Sequence, residues 1–258
     1  MRKGFATLLG LALMVGALAT TAGADATLDR IKTRGELVIG TSGVYPPFEY
    51  VENGVLVGFD IDLGNLVAEK LGVKAQFVKI EWKGIIAALK SGRADILITA
   101  MTKTPDRAEQ IGFSVPYYTT AMAIMVRKSD TAISGRDDLK GKILGAEQGS
   151  RGEVEAKSVN AREVKIYDSV MLAFKDLEAG RVEAVTEMLP ASMYLIARQY
   201  KGLKVAATYK EGVVGVNTRL EDKGLLAAID GAIEALKAEG KLDRLHEKWF
   251  GEVYRPKR

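Results

Sequence analysis

The sequence predicts an α/β protein made of two lobes, each built on a mostly parallel sheet flanked by helices. Short apolar segments of strand length alternate with segments whose apolar residues recur at helical spacing, and this alternation occurs twice along the chain. Two longer apolar segments, 115–127 and 205–216, are suited to strands that leave the first lobe and return to it. We therefore expect two crossover strands between the lobes.

The first lobe has the pattern strand, helix, strand, helix, strand. Asp60 is placed to cap the first helix, which ends at Gly72. Trp82 begins the second helix, which stops at Gly92. An alternation of this kind implies parallel strands with right-handed crossovers. The predicted strands span residues 36–41, 75–80 and 94–98.

The second lobe repeats this alternation. Ser150 opens its first helix, Asp168 or Ser169 caps the next one, and Gly180 ends it. The amphipathic tail, residues 225–250, is expected to return to the first lobe as helices. The predicted strands span residues 142–146, 164–167 and 182–187.

The first 24 residues have the features of a cleaved signal peptide. Arg2 and Lys3 precede a mostly apolar run, and the small residues 22–24 form a cleavage site before Asp25. The run is short and rich in Gly and Ala for a membrane span, and no cysteine follows it as a site of lipid attachment. The sequence therefore predicts an exported, soluble chain. The predicted divisions are a signal peptide at 1–24, lobe 1 at 25–118 plus 212–258, and lobe 2 at 119–211.

The composition argues against several classes of function. Without Arg2 and Lys3 the net charge falls from +4 to +2, which gives no argument for nucleic-acid binding. There is no cysteine, and the single histidine, His246, lies in a charged tail helix where it is expected to be solvated. The chain therefore has no cysteine for thiol catalysis and a single histidine for Ser-His catalysis. Asp60 and Asp62 fit helix capping better than a metal pair, since no third ligand is spaced for it. The sequence predicts no cofactor and no metal site.

The segment 99–118 carries a local signal for a binding site. Thr104 with Pro105 has the pattern of a helix start, directly after a predicted buried strand, and Arg107 lies in the first turn. Unpaired N–H groups at such a start favour an anion, and a guanidinium beside them can hold a carboxylate through two parallel hydrogen bonds. Thr102 adds a hydroxyl nearby. The pattern predicts a carboxylate pocket at the carboxyl end of a strand, although it also fits a surface arginine beside an ordinary helix cap.

Five sequence segments occur in a characteristic order: YPPFEY, ENGVLVGFDIDL, ALKSGRADILITAMTKTPDRAEQIGFSVPYY, LKGKILGAEQGS and LKAEGKLDRLHEKWFG. Together they resemble the family 3 solute-binding proteins, the periplasmic receptors of polar amino-acid ABC importers, from about Leu28 to Phe250. The resemblance implies the type II periplasmic-binding-protein fold, in which two lobes close around a ligand in the cleft between them. It also implies a periplasmic monomer that delivers an amino acid or related small carboxylate to a membrane-embedded ABC permease.

The resemblance further implies roles for individual residues. Arg107 is expected to pair with the α-carboxylate of the ligand, helped by the N–H of Thr102. The carbonyl of Ala100 and the hydroxyl of Thr102 are expected to receive the α-ammonium, and Tyr45 and Trp82 to pack on the ligand side chain. The expected ligand-binding residues are Tyr45, Trp82, Thr99, Ala100, Thr102, Arg107, Ser150, Arg151, Glu187 and Met188.

Three positions depart from the family pattern. Met188 stands where an aspartate usually receives the α-ammonium, with Glu187 one residue earlier. Arg151 replaces a small hydroxyl residue in the loop 148–152, whose N–H groups are expected to face the carboxylate. Ser42 stands where lysine and arginine receptors carry an acid, which disfavours a ligand with a basic side chain.

These departures leave two interpretations open. In the first, Glu187 turns into the cleft and serves the ammonium, although neighbouring residues of a strand normally face opposite sides. In the second, the ligand has no ammonium, and Arg107 with Arg151 favours a carboxylate of greater negative charge. Glu147 beside the loop could also neutralise Arg151.

An enzyme is the alternative class of function. A few relatives on this fold, similar to cyclohexadienyl dehydratase, use a cleft carboxylate as general acid on a carboxylated ring. Glu187 or Glu147, desolvated in a closed cleft, could take that role. The sequence favours a binding receptor without catalytic residues over this alternative.

Overall fold

The computed structural model describes residues 26–251, so the predicted signal peptide lies outside the described residues. In the first half of the chain the elements are α1 (Ala26–Arg34), β1 (Glu36–Thr41), β2 (Val44–Tyr45), β3 (Glu49–Glu52), β4 (Val55–Val57), α2 (Phe59–Leu71), β5 (Lys74–Lys79), α3 (Ile85–Lys90), β6 (Ile96–Leu97), α4 (Pro105–Ala108), β7 (Gly112–Phe113) and β8 (Tyr118–Arg127). In the second half they are β9 (Ile143–Glu147), α5 (Arg151–Lys157), β10 (Glu163–Tyr167), α6 (Val170–Glu178), β11 (Ala184–Met188), α7 (Leu189–Arg198), β12 (Leu203–Val214), β13 (Asn217–Thr218), α8 (Lys223–Ala238) and α9 (Lys241–Phe250). One-turn 3-10 helices span Trp82–Gly84 and Asp137–Leu139.

Lobe 1 is built on a five-stranded sheet in the order β5–β1–β6–β13–β7. β5, β1 and β6 run parallel, whereas β13 is antiparallel to both β6 and β7. The helices α2, α8 and α9 pack against one another beside this sheet and bury one continuous apolar core with it. The C-terminal helices therefore return to the first lobe, as predicted.

Lobe 2 is built on a second five-stranded sheet in the order β10–β9–β11–β8–β12. β10, β9 and β11 run parallel, and β8 is antiparallel to its neighbours β11 and β12. The chain passes between the two sheets after β7 and again after β12, and these long strands pair from Tyr118↔Val214 to Leu203↔Arg127. These crossings lie beside the predicted lobe boundaries, which remain predictions.

A small antiparallel sheet, β2–β3–β4, is absent from the sequence-based expectations. Its strands have two, four and three residues, which is too short for an alternating pattern to be recognisable. The sheet matters for the site because β2 ends at Tyr45.

The capping role predicted for Asp60 is wrong. The N-cap of α2 is Gly58, at φ 137°, where a Cβ atom would lie 2.1 Å from the carbonyl oxygen of Phe48. Asp60 is fully buried in the first turn, and its Oδ2 accepts the N–H of Ala100 at 2.6 Å. The carboxylate therefore fixes the segment that follows β6, where Ala100 has a positive φ of 48°. The strand predicted at 94–98 is shorter in the structure, Ile96–Leu97, and ends before this bend.

The expectation that His246 is solvated is also wrong. Its side chain is buried in the core of lobe 1, where Nε2 lies 3.2 Å from the carbonyl oxygen of Tyr117. The imidazole stacks on the Tyr118 ring at 4.9 Å between centroids and meets the edge of Phe59. Burial lowers the pKa of His246, so the neutral ring is favoured.

Within residues 26–251, no helix combines the length and the apolar character that crossing a bilayer requires.

Candidate ligand-binding site

A cavity lies between the two lobes, with about 500 Å³ of empty space that includes its opening to solvent. Its walls come from the carboxyl ends of strands in both sheets, the position at which open α/β sheets place their ligands. All ten residues expected from the sequence line it, although their roles as ligand contacts remain predictions. The cavity is also lined by Ser42, Val44, Glu49, Glu147, Ser169 and Val170.

Arg107 is placed by the short helix α4. The hydroxyl of Thr104 accepts the N–H of Arg107 at 3.3 Å, which is the predicted helix cap. Its guanidinium donates to the carbonyl of Thr102 at 2.8 Å and, across the cleft, to the carbonyl of Gly149 at 2.9 Å. Burial lowers the pKa of Arg107 to about 10, so the group remains charged at neutral pH.

Two aromatic residues form the lobe 1 wall. The guanidinium of Arg107 lies 5.1 Å from the centroid of the Trp82 ring. This cation–π contact adds to its two hydrogen bonds with carbonyl groups. Tyr45 stacks on Phe48 at 5.8 Å, and its hydroxyl donates to Oε1 of Glu187 at 2.7 Å. The wall therefore positions both a cation and an acid at the cavity.

Glu187 and Met188 both line the cavity, although they are consecutive in β11. Both can do so because β11 ends at Met188, which is already the N-cap residue of α7. Oε1 of Glu187 also accepts the N–H of Met188 at 2.7 Å. The sulfur of Met188 accepts the hydroxyl of Thr102 at 3.2 Å. Burial raises the pKa of Glu187, and the two donors and Arg107 oppose that rise.

Arg151 pairs with groups other than Glu147. Its guanidinium donates to the carbonyls of Lys210 and Glu211 on β12, both at 3.1 Å, and its Nε lies 3.8 Å from Oε1 of Glu155. Gly212 makes room for this arrangement, because a Cβ there would lie 1.9 Å from Nη1 of Arg151. The suggestion that Glu147 neutralises Arg151 is therefore not what the structure shows.

Glu49 forms the floor of the cavity in lobe 1. Its Oε1 accepts the hydroxyl of Thr99 at 2.6 Å and that of Ser42 at 3.1 Å. Burial and the neighbouring Asp60 raise the pKa of Glu49 well above its usual range. This acid could not be recognised from the sequence, because Ser42 and Thr99 lie 7 and 50 residues away from it along the chain.

Glu147, the last residue of β9, is the acid of the site with the fewest hydrogen-bond and ion-pair partners among the described residues. Its side chain is 8% exposed, and within residues 26–251 no hydrogen bond or ion pair to its carboxyl group is found. Burial, and secondly the negative charge of Glu187, raise its pKa to about 8. The same residue lines a second groove that continues outward past Trp82 and Ser169.

Because of this pKa, we expect Glu147→Gln to stabilise the protein against unfolding at alkaline pH. The folded chain favours the protonated carboxyl, so its contribution is complete below pH 4.5, the ordinary pKa, and is lost as the pH rises through about 8. The neutral amide avoids that loss, with an expected gain in the free energy of unfolding on the order of 5 kcal/mol at pH 9. Urea unfolding of both proteins at pH 4.5 and pH 9 measures the effect. A difference that does not change with pH would contradict it.

The chain is similar in sequence to known proteins. A family model described as bacterial extracellular solute-binding proteins, family 3, matches residues 37–252. The chain is 31% identical over 254 residues to the L-cystine-binding protein TcyJ of Escherichia coli (strain K12), covering 97% of this chain and 96% of that protein. It is 33% identical over 219 residues to the ABC transporter arginine-binding protein 1 of the same organism, covering 82% and 89%.

A solved structure has the same fold. The ancestral amino acid-binding protein AncCDT-1, described as a precursor of cyclohexadienyl dehydratase, superposes with a TM-score of 0.82 at 34% identity. The match covers 87% of this chain and 100% of that one. The two-lobe α/β fold predicted from the resemblance is thereby confirmed.

Proposed function

The chain belongs to family 3 of the bacterial extracellular solute-binding proteins, and we propose that it captures an α-amino acid in its cleft for an ABC importer. The observation that carries this proposal is the placement of Arg107 and Glu187 on one cavity, one from each lobe. A guanidinium and a carboxylate that face one site match the carboxylate and the ammonium of an α-amino acid. The relatives named for L-cystine and arginine binding support this class of ligand.

Both groups keep hydrogen-bonding capacity for a ligand. A guanidinium has five N–H donors, and Arg107 uses two of its nitrogens on carbonyl groups of Thr102 and Gly149. Glu187 receives its two donors on the same oxygen, Oε1. Within residues 26–251 its Oε2 has no partner, which leaves an acceptor for the ammonium.

Of the two interpretations that the sequence leaves open, we propose the one in which Glu187 serves the ammonium. Its carboxyl group lies on the cavity wall, held there by Tyr45. The thioether of Met188 is engaged with Thr102 and offers no charge. A ligand without an ammonium would bring no positive charge to the buried carboxylate of Glu187.

The proposed function also implies where the protein is located and which protein it works with. We propose a periplasmic monomer that is exported by a cleaved signal peptide at 1–24, with lobe 1 at 25–118 plus 212–258 and lobe 2 at 119–211. Its partner would be a membrane-embedded permease, which fits a relative named as an ABC transporter component. The family description as extracellular supports the location.

Ligand binding is expected to reduce the radius of gyration in solution. Hydrogen bonds among the described residues join the two proposed lobes across the cleft, including those of Arg107 with Gly149, Tyr45 with Glu187, Thr102 with Met188, and Tyr50 with Tyr194. A ligand that touches both walls stabilises this arrangement over an open one. Small-angle scattering with and without saturating ligand measures the change, and equal radii would argue against a cleft that closes on its ligand.

A dehydratase remains the second candidate because Glu147 is held protonated near neutral pH in a cleft. The similarity to AncCDT-1, a named precursor of such an enzyme, is the other observation in its favour. Incubation with prephenate or arogenate separates the two functions. We expect no product, and turnover that is lost in Glu147→Gln would establish the enzyme instead.

A thermal-shift screen tests the proposed function directly. It compares the common L-amino acids with their keto acids and with simple dicarboxylates. A ligand that binds only the folded state adds about 2.7 kcal/mol of apparent stability at 100 times its dissociation constant. We expect stabilisation by at least one amino acid, and stabilisation by the other carboxylates alone would reject the proposal.

A further inference from the structure

We propose that Glu147 receives a positively charged group on the ligand side chain, so that the substrates are α-amino acids with a cationic side chain. This inference rests on the proposed function and names the substrate class of the same cavity. It replaces the expectation, drawn from Ser42, that a basic side chain is disfavoured.

The register of lobe 2 places two acids side by side. β9 and β11 run parallel with Leu144 opposite Ala184, and Glu147 and Glu187 each follow those residues by three positions. Neighbouring strands are about 5 Å apart, so the two carboxyl groups leave adjacent strand ends toward the same cavity. A single α-ammonium needs one such acceptor, which leaves the other for a second cationic group.

The two acids differ in what already holds them. Glu187 accepts from Tyr45 and from the N–H of Met188. Glu147 is also buried, yet within the described part of the chain its carboxyl group meets no donor and no cation. Arg151, four residues along the chain, pairs instead with Glu155 and with carbonyl groups of β12. Without a partner this buried carboxyl group keeps its proton near neutral pH. A cation brought by the ligand would favour the ionised form and pair with it.

The position of Glu147 also indicates which part of the ligand it meets. Glu187 lines only the inner cavity, whereas Glu147 lines both that cavity and the groove that continues outward. With the α-carboxylate at Arg107 and the α-ammonium at Glu187, the ligand side chain is directed toward this groove. Trp82, from lobe 1, lines the same groove, and an aromatic ring there favours a cation.

The test compares ligands of matched shape that differ in side-chain charge. L-arginine is paired with L-citrulline, and L-lysine with L-norleucine, in calorimetric titrations of the wild type, Glu147→Gln and Glu187→Gln. In at least one pair, we expect the wild type to bind the cationic member at least about tenfold more tightly. Glu147→Gln should lose this preference while its affinity for the neutral member changes by less than about threefold. Glu187→Gln, the matched control, should weaken both members alike because both have an α-ammonium.

The other outcomes distinguish a failure of the inference from a failure of the proposed function. If Glu147→Gln weakens binding of the cationic and the neutral members equally, Glu147 does not recognise the charge of the side chain and the inference is wrong. The inference is equally wrong if the wild type binds the neutral members at least as tightly in both pairs, although the proposed amino-acid receptor would then stand. If the wild type binds no L-amino acid in the wider screen, the proposed function itself fails and the inference fails with it.

Discussion

Arg107→Ala is expected to abolish measurable amino-acid binding while the protein still folds. The side chain is buried beside the Trp82 ring and keeps N–H donors that could form two parallel hydrogen bonds to a carboxylate. Removing one partner of a buried charged pair costs roughly 3–5 kcal/mol, which corresponds to a loss of affinity of about 100-fold or more. Isothermal titration with the ligand found in the screen gives the loss directly.

Two further variants make the result for Arg107 specific. Arg107→Lys should recover little affinity, because an ammonium is a point charge that cannot reproduce the planar fork. Arg93→Ala removes an exposed arginine of the same lobe and should bind as the wild type does. Near-wild-type affinity in Arg107→Ala, with circular dichroism unchanged, would remove Arg107 from the site.

Glu187→Gln is expected to remove the preference of the protein for an amino acid over its own keto acid. The pair differs at the α-carbon, where only the amino acid presents an ammonium to the carboxylate of Glu187. Loss of a buried partner for that ammonium costs about 2–4 kcal/mol, so the preference should fall by about 30-fold or more. Titration of one amino acid and its keto acid against both proteins measures the preference.

Met188 provides the matched control for Glu187. Met188→Leu keeps an apolar side chain at the cavity wall and should retain the preference for the amino acid. Met188→Asp tests the opposite interpretation, in which the native ligand has no ammonium. If the wild type prefers the keto acid and Met188→Asp shifts that preference toward the amino acid, Glu187 does not serve the ammonium.

Some features of this protein could be predicted because they depend on residues that are close in sequence. Thr104 and Pro105 do begin a helix, since the cap and the first turn need only four consecutive residues. Gly72 does follow the end of α2 in the left-handed conformation that glycine adopts readily. The spacing of apolar residues likewise predicted the alternation of strands and helices in both lobes.

Other features depend on contacts between distant parts of the chain. His246 is buried because its helix packs on Tyr117, which lies 129 residues earlier. Asp60 looked like a helix cap, yet it supports Ala100, 40 residues later, while Gly58 begins the helix. Neither partner can be identified from a single sequence, because both contacts form only when the sheets and the terminal helices assemble.

The role of Glu147 illustrates the same limit at the site. From the sequence it was a neighbour of Arg151, since the two lie four positions apart. In the fold, helix α5 turns Arg151 toward β12, while the parallel register sets Glu147 beside Glu187. Strand register is fixed by tertiary packing, so the partner of an acid at a strand end cannot be read from its nearest neighbours.

The space that Gly212 leaves for Arg151 makes two distant segments dependent on each other in protein engineering. Transplanting the loop 148–152 with its arginine into a receptor that has a side chain at the position of 212 would create a steric clash. Replacing Arg151 here by a small residue creates no clash, but it leaves the carbonyl groups of Lys210 and Glu211 without their donor. Exchange of specificity loops between such receptors should therefore carry position 212 along with the loop.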